Sequence, residues 1–188
     1  MEVSPRTVFR RCRHRAVDRL DEIAELIGTT VAALLDGQGK PIVGISPARL
    51  DGWRWEPAAD GPEMVVVPCG HFWKPSGWIE IDDLIATHPA VDRWWLLLGS
   101  GEIIETDAVA QSYINGVPLV LHPAPLDWVR AQCQGSVIID WHLNPFTALR
   151  LGELPAGAVV TDDPEALADR CREVVAAALA AIAAPAAT

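Results

Sequence analysis

The chain has 188 residues, half of them apolar, enough to bury a substantial core as one domain or as one domain with a small appendage. Its formal net charge is −10, yet the first 19 residues hold six arginines against Glu2 and Asp18, which leaves 9 basic and 23 acidic groups, or −14, on the other 169. A body that acidic argues against broad contact with a phosphate backbone, and the sequence shows no uncharged apolar run of about 18 residues, no secretory leader and no Cys-x-x-Cys pair among Cys12, Cys69, Cys133 and Cys171, so the expectation is a reduced, cytoplasmic protein without a membrane span.

The basic start reads as a solvated, partly disordered arm. Its arginines, with Arg10, Arg11, Arg13 and Arg15 as the candidate contacts, are suited to a nucleic acid or to the acidic surface of a protein partner. From Arg13 to Leu35 the residues Val17, Leu20, Ala24, Ile27, Val31 and Leu34 recur at the spacing of one helix face, and Gly28 with Thr29 and Thr30 after it breaks that helix in two. Two helices around a tight turn resemble a repressor-type helix-turn-helix, but the segment from Val31 to Asp36 offers no Arg, Lys, Asn or Gln for a base edge. Residues 1–35 are therefore taken as a basic arm with a helical segment.

Residues 36–90 read as a small β-rich layer. Asp36-Gly37 and Gln38-Gly39 mark turns, and Pro41–Ser46, Gly52–Trp55 and Glu63–Pro68 look like short antiparallel strands. Strand alternation would place Trp53 and Trp55 on one face, a candidate stacking platform for a base or sugar, with Arg54 on the other. Cys69 and His71 supply two of the four ligands a zinc site needs, with no partners at a recognised spacing.

Residues 91–188 repeat one unit. The apolar runs Trp94–Leu98, Val117–Leu121, Val137–Ile139 and Ala158–Val160 alternate with short helical segments, and Gly116, Gly135 and Gly157 precede the later runs. This βαβα order predicts an α/β fold with a small, mainly parallel sheet, Rossmann-like or Toprim-like. In such a sheet ligands bind at the strands' carboxyl ends, where Glu102, His122, Asp140, His142 and Asp162 would converge. Helix capping accounts for other polar residues there: Asp163 before Pro164, Asn144 before Pro145, and Thr106 before Asp107. Gly99-Ser100-Gly101 lacks the third glycine of a dinucleotide fingerprint, no P-loop or nucleophile elbow occurs, and Cys133 suits a core better than a nucleophile.

The segments IDDLIATHPAVDRWWLLLG and PLVLHPAPLDWVRAQCQGSVIIDW, within residues 78–141, resemble uncharacterised proteins of proteobacterial genomes and prophages, which implies a mobile-element setting and no named activity. The strand-end pattern also resembles the Toprim domain, which holds magnesium on a Glu and an Asp-x-Asp. Glu102 matches the first, and Asp140-Trp141-His142 stands at the second with a histidine where a hard oxygen ligand belongs. From Pro164 to about Ala184 a final helix carries the stripe Leu167, Cys171, Val174, Val175, Leu179 and Ile182 and no charge after Glu173, a surface for homodimerisation. Two functions result. The preferred one is a non-enzymatic binding module with an accessory role in nucleic-acid or nucleotide transactions and no cofactor. The other is a metal-dependent phosphoesterase or nuclease, with Mg or Mn on Glu102, Asp140, His142 and Asp162, and Glu102, His122 or Asp140 as catalytic groups.

Overall fold

The structure is a computed structural model that describes residues 4–73, 78–140, 145–154 and 158–183. At the amino terminus α1 (Pro5–Ala16) runs through a single 3₁₀ turn, Val17–Arg19, into α2 (Leu20–Ile27), which ends at Gly28. The break predicted at Gly28 is present. Beyond it Thr30 acts as a cap, accepting from the Ala33 amide at 3.3 Å, but the element it caps is only the four-residue 3₁₀ segment Val31–Leu34, with Ala33 and Leu34 buried. A recognition helix of the helix-turn-helix kind therefore does not form here.

The centre of the molecule is a closed β-barrel. Its strands are β1 (Gly44–Asp51), β2 (Arg54–Pro57), β3 (Glu63–Trp73), β4 (Trp78–His88) and β5 (Val91–Leu96). The hairpin β1–β2 and the meander β3–β4–β5 join along two seams: β1 pairs antiparallel with β3, and β2 meets β5 in parallel at Arg54 and Leu96. Closure leaves no free edge among the five strands.

This corrects the expected Rossmann-like or Toprim-like sheet. Trp94–Leu98 supplies β5 of the barrel, and β5 pairs antiparallel with β4 across residue 90, where the sequence suggested a boundary. The three later apolar runs give only two-residue strands, β7 (Leu119–Val120), β8 (Val137–Ile138) and β9 (Val159–Val160), and a further two-residue strand that was not expected, β6 (Ile103–Ile104), precedes them. Between and after them lie α3 (Thr106–Asn115), α4 (Pro125–Arg130), α5 (Pro145–Gly152) and α6 (Pro164–Ala183). β7 and β9 pair in parallel, and one parallel bridge between Leu121 and Ser136 links them to β8, which pairs antiparallel with β6.

β3 and the centre of β4 lack simple alternation because both of their faces are buried, whereas β2 alternates. Trp55 points inward between the exposed Arg54 and Glu56, and its Nε1–H donates to the Leu84 carbonyl at 3.0 Å. Ala48, Met64, Val66, Leu84, Ala86 and Trp95 share that interior with Val8, Phe9 and Cys12, so α1 covers the barrel's interior. The alternate residues Val65, Val67, Ile85 and Leu96 face outward and pack with Ile23 and Ile27 of α2 and Trp128 and Val129 of α4. Arg130 fastens these two helices by donating from Nε to the Ile27 carbonyl at 2.8 Å.

After β5 the chain must pass β4 and β3 to form β6 on the far side of β3, and it has six residues, 97–102, for the crossing. β5 and β6 point the same way, a connection that ordinarily takes a dozen residues or more. Packed against the sheet, its amides would lack partners. Asp83, on β4 and 0% exposed, supplies them: Oδ1 accepts from Leu84 N at 2.7 Å and Leu98 N at 2.8 Å, and Oδ2 from Ser100 N at 2.8 Å and Gly101 N at 3.0 Å. Gly101 packs closely, since a Cβ there would stand 2.9 Å from Leu96 Cδ2, 3.1 Å from Asp83 Cβ and 3.1 Å from Cys69 Sγ, so a side chain would make these neighbours give way. The Gly-Ser-Gly element thus serves as a chain crossing.

Replacing Asp83 with Ala orphans buried amides and is expected to cost about 4 kcal/mol, since each unsatisfied buried donor costs roughly 1–3 kcal/mol. Thermal unfolding followed by circular dichroism should then show a melting temperature about 10 °C lower. Asp83→Asn, which turns an NH₂ donor toward two of those donors, should melt well below the native protein too.

Candidate functional site

The expected arm is an ordered helix. Val8, Phe9, Cys12 and Ala16 of α1 are buried, and the opposite arc exposes Arg6, Thr7, Arg10, Arg11 and His14. At 100° per residue Arg6 and Arg10 stand on one flank of that arc and Arg11 on the other. Arg6, Arg10 and Arg11 form no ion pair among the described residues. Arg13 and Arg15 are more committed. The Arg13 guanidinium lies 5.7 Å from the Phe9 ring centre, where burial lowers its pKa and the Asp36 charge works against that fall. Arg15 reaches Ser46 Oγ at 3.4 Å, and Arg19 is tied to Glu22 and Glu63, each at 2.7 Å.

Trp53 and Trp55 do not share a face. Trp55 is 2% exposed inside the barrel, whereas Trp53 sits in the β1–β2 turn, 53% exposed, with its carbonyl accepting from Leu96 N at 3.0 Å. Gly99 lies against the Trp53 ring at φ 79°, where a side chain would be both strained and in collision with the indole. Arg54 does not oppose the indole but stacks on it, its guanidinium 4.6 Å from the ring centre. Arg93 lies nearby, donating from Nη2 to the Gly52 carbonyl at 2.5 Å and standing 5.1 Å from the Trp95 ring centre.

The strand-end residues fall into two pairs. His122, just past β7, and Asp162, just past β9, line one cleft of about 450 Å³ with Leu121, Ile138 and Leu167. His122 Nε2 is 2.8 Å from the Gln134 carbonyl, so as a neutral imidazole it donates there and leaves Nδ1 free to accept. Glu102 and Asp140 meet elsewhere, along the β6–β8 pairing, where the Glu102 carbonyl accepts from Ile139 N at 2.8 Å and Asp140 N at 3.1 Å. His142 lies outside the described residues, as does the expected cap Asn144. Among the described residues no group of three or more His, Cys, Asp and Glu is placed to hold a metal ion.

Asp163 caps α6, accepting from Ala166 N at 2.9 Å. Thr106 does not cap α3. The N-cap is Glu105, held left-handed at φ 61°, with its amide on the Gly70 carbonyl at 3.1 Å and its carbonyl taking the Ser136 hydroxyl at 2.7 Å. None of the four cysteines is in a disulfide and all are buried, and Cys69 donates its thiol proton to the Ile103 carbonyl at 3.0 Å. Burial, then the Asp83 charge, pushes the Cys69 thiol far above its ordinary 9.0; the side chain of His71 is not among those described. α6 sends Leu167, Cys171, Val174 and Val175 into the carboxyl-terminal core but leaves Leu179 62% exposed. No described helix is long and apolar enough to cross a membrane. The roles of Asp83, Arg54 and Arg93 were not legible in the sequence; the one available signal was the acidic pair Asp82-Asp83 directly before the apolar run Leu84-Ile85-Ala86.

Compared with known proteins, the chain matches no family model, no curated protein and no solved structure.

The buried thiols give a pH test. Burial raises Cys12, Cys69 and Cys171 above 9.0, so the unfolded chain loses these protons first. Stability is thus full below about pH 9 and falls as pH rises through the folded-state values. Urea midpoints should fall between pH 8.5 and 10.5, less in Cys69→Ala. At pH 8 none of the four thiols should react rapidly with Ellman's reagent until the protein is unfolded.

Proposed function

We propose that the protein is a non-enzymatic binding module that engages nucleic acid through the arginine face of α1, in an accessory role. The observation that carries this reading is the exposure of Arg6, Arg10 and Arg11, without ion pairs among the described residues, on a helix whose other face is built into the barrel core. In a chain of net charge −10, mobile cationic side chains would find carboxylates to pair with, as Arg19, Arg49 and Arg130 do. Guanidinium groups on both flanks of a helix about 10–12 Å wide suit the two phosphate strands bordering a major groove about 12 Å wide. The arginines stand on the flanks of the arc, which on this reading assigns them to the phosphates, a contact independent of sequence.

A second reading, a metal-dependent phosphoesterase, is favoured by one observation: the cleft beside His122 and Asp162 lies at the carboxyl ends of the parallel pair β7 and β9. It requires Mg or Mn to bind at this cleft with Asp162 as a ligand, and it is tested by metal-dependent hydrolysis of a phosphodiester together with a metal-induced rise in melting temperature, both of which Asp162→Asn should abolish.

For the first reading the test is fluorescence anisotropy with labelled duplex and single-stranded oligonucleotides at several salt concentrations. Three arginine contacts predict a slope of log K against log salt of about −3 on duplex, at roughly 0.9 per phosphate neutralised. The Arg6, Arg10, Arg11→Ala triple variant should bring binding close to background. No binding at 50 mM salt, or an unchanged slope in the variant, would reject the reading.

A further inference from the structure

We infer that Trp53, with Arg54 and Arg93, forms a nucleotide-stacking site at the turn end of the barrel, where a base lies on the indole and its phosphate is met by the guanidinium groups. The inference deepens the nucleic-acid reading and rests on it, but comes from a different part of the molecule.

Trp53 differs from its neighbours in kind. Among the other described tryptophans Trp55, Trp95 and Trp128 are 2%, 8% and 0% exposed and Trp94 is half-buried, while Trp53 keeps 53% of its surface in water. Its exposure is not looseness. The backbone is bonded into the β2–β5 seam through Leu96, Gly99 leaves room for the ring, and Arg54 stacks on it. An aromatic surface fixed in this way needs little ordering on binding, which is what makes stacking favourable.

The surrounding charge selects the ligand. Arg54 and Arg93 make no ion pair among the described residues, and Arg93 is held by the Gly52 carbonyl at 2.5 Å and by the face of Trp95. Two guanidinium groups that form no ion pair among the described residues, beside an exposed indole, suit a planar base carrying an anionic phosphate. An apolar ligand would not use the arginines, and a sugar would not use their charge. A free mononucleotide and one unit of a single strand share this chemistry. Duplex does not, because its bases are already stacked.

The test uses the full chain in low salt and measures tryptophan fluorescence quenching by an unlabelled oligothymidylate of eight nucleotides, by the matching mononucleotide and by a duplex. Trp53→Leu keeps an apolar cover over Gly99 without a π face, and Trp53→Phe restores one. The expected result is quenching by the single strand that Trp53→Leu removes, with affinity falling between about 5- and 150-fold. Trp53→Phe should recover most of that affinity, and Arg54→Gln with Arg93→Gln should weaken binding and flatten its salt dependence. Matching melting temperatures confirm that each variant folds. Quenching by the mononucleotide at comparable affinity would assign the site to a free nucleotide; quenching by the strand alone assigns it to a polymer. Unchanged single-strand affinity in Trp53→Leu would overturn this site and leave the α1 reading standing, whereas an absence of binding to every oligonucleotide would overturn both.

Discussion

One buried carboxylate sets the layout of this molecule. Asp83 takes four backbone amides, three of them from the crossing segment at Leu98, Ser100 and Gly101. Charge-assisted bonds of this kind are worth roughly twice their neutral counterparts. Four donors compensate a charge whose burial alone would be prohibitive. Without it the six-residue passage from β5 to β6 would carry bare amides across the sheet, and the carboxyl-terminal segment would lose its fixed attachment to the barrel. The same passage places Gly99 against Trp53, so a structural carboxylate also fixes the most exposed tryptophan of the described core.

The barrel explains how an acidic chain can keep a free basic face. α1 gives the barrel interior Val8, Phe9 and Cys12, and this burial determines which way the helix is turned. Arg6, Arg10 and Arg11 are then left exposed and form no ion pair among the described residues. In the proposed reading the α1 face and the Trp53 turn are parts of one scaffold, the first supplying charge and the second a place to stack. The cleft at His122 and Asp162 belongs to the smaller carboxyl-terminal layer, whose strands are only two residues long.

Local signals in the sequence were legible where a single residue type decides the outcome. Gly28 ends α2, Thr30 caps the segment after it, and Asp163 caps α6 through Ala166. The fold was not legible, because period-two alternation marks a strand only when one face meets water. In β3 the run Met64-Val65-Val66-Val67 is apolar throughout, since Met64 and Val66 face the interior while Val65 and Val67 face the helices. The stretch from residue 94 onward looked like the parallel sheet because its glycines and apolar runs repeat, but runs of that length yielded strands of two residues, and the long strands lay before them. Of the strand-end residues, His122 and Asp162 do border one cleft, while Glu102 and Asp140 lie together elsewhere. Trp53 and Trp55 separated because the turn begins one residue before the alternation could apply.

Hydrogen exchange at the amides of Leu98, Ser100 and Gly101 tests the Asp83 crossing most directly. Ser100 is exposed as a residue, so only its bond to the buried carboxylate can protect its amide. With Asp83 holding the crossing, all three amides should exchange as slowly as those of β3 and β4. Exchange of Ser100 and Gly101 at the rates of an open loop, with β3 and β4 still protected, would contradict that role.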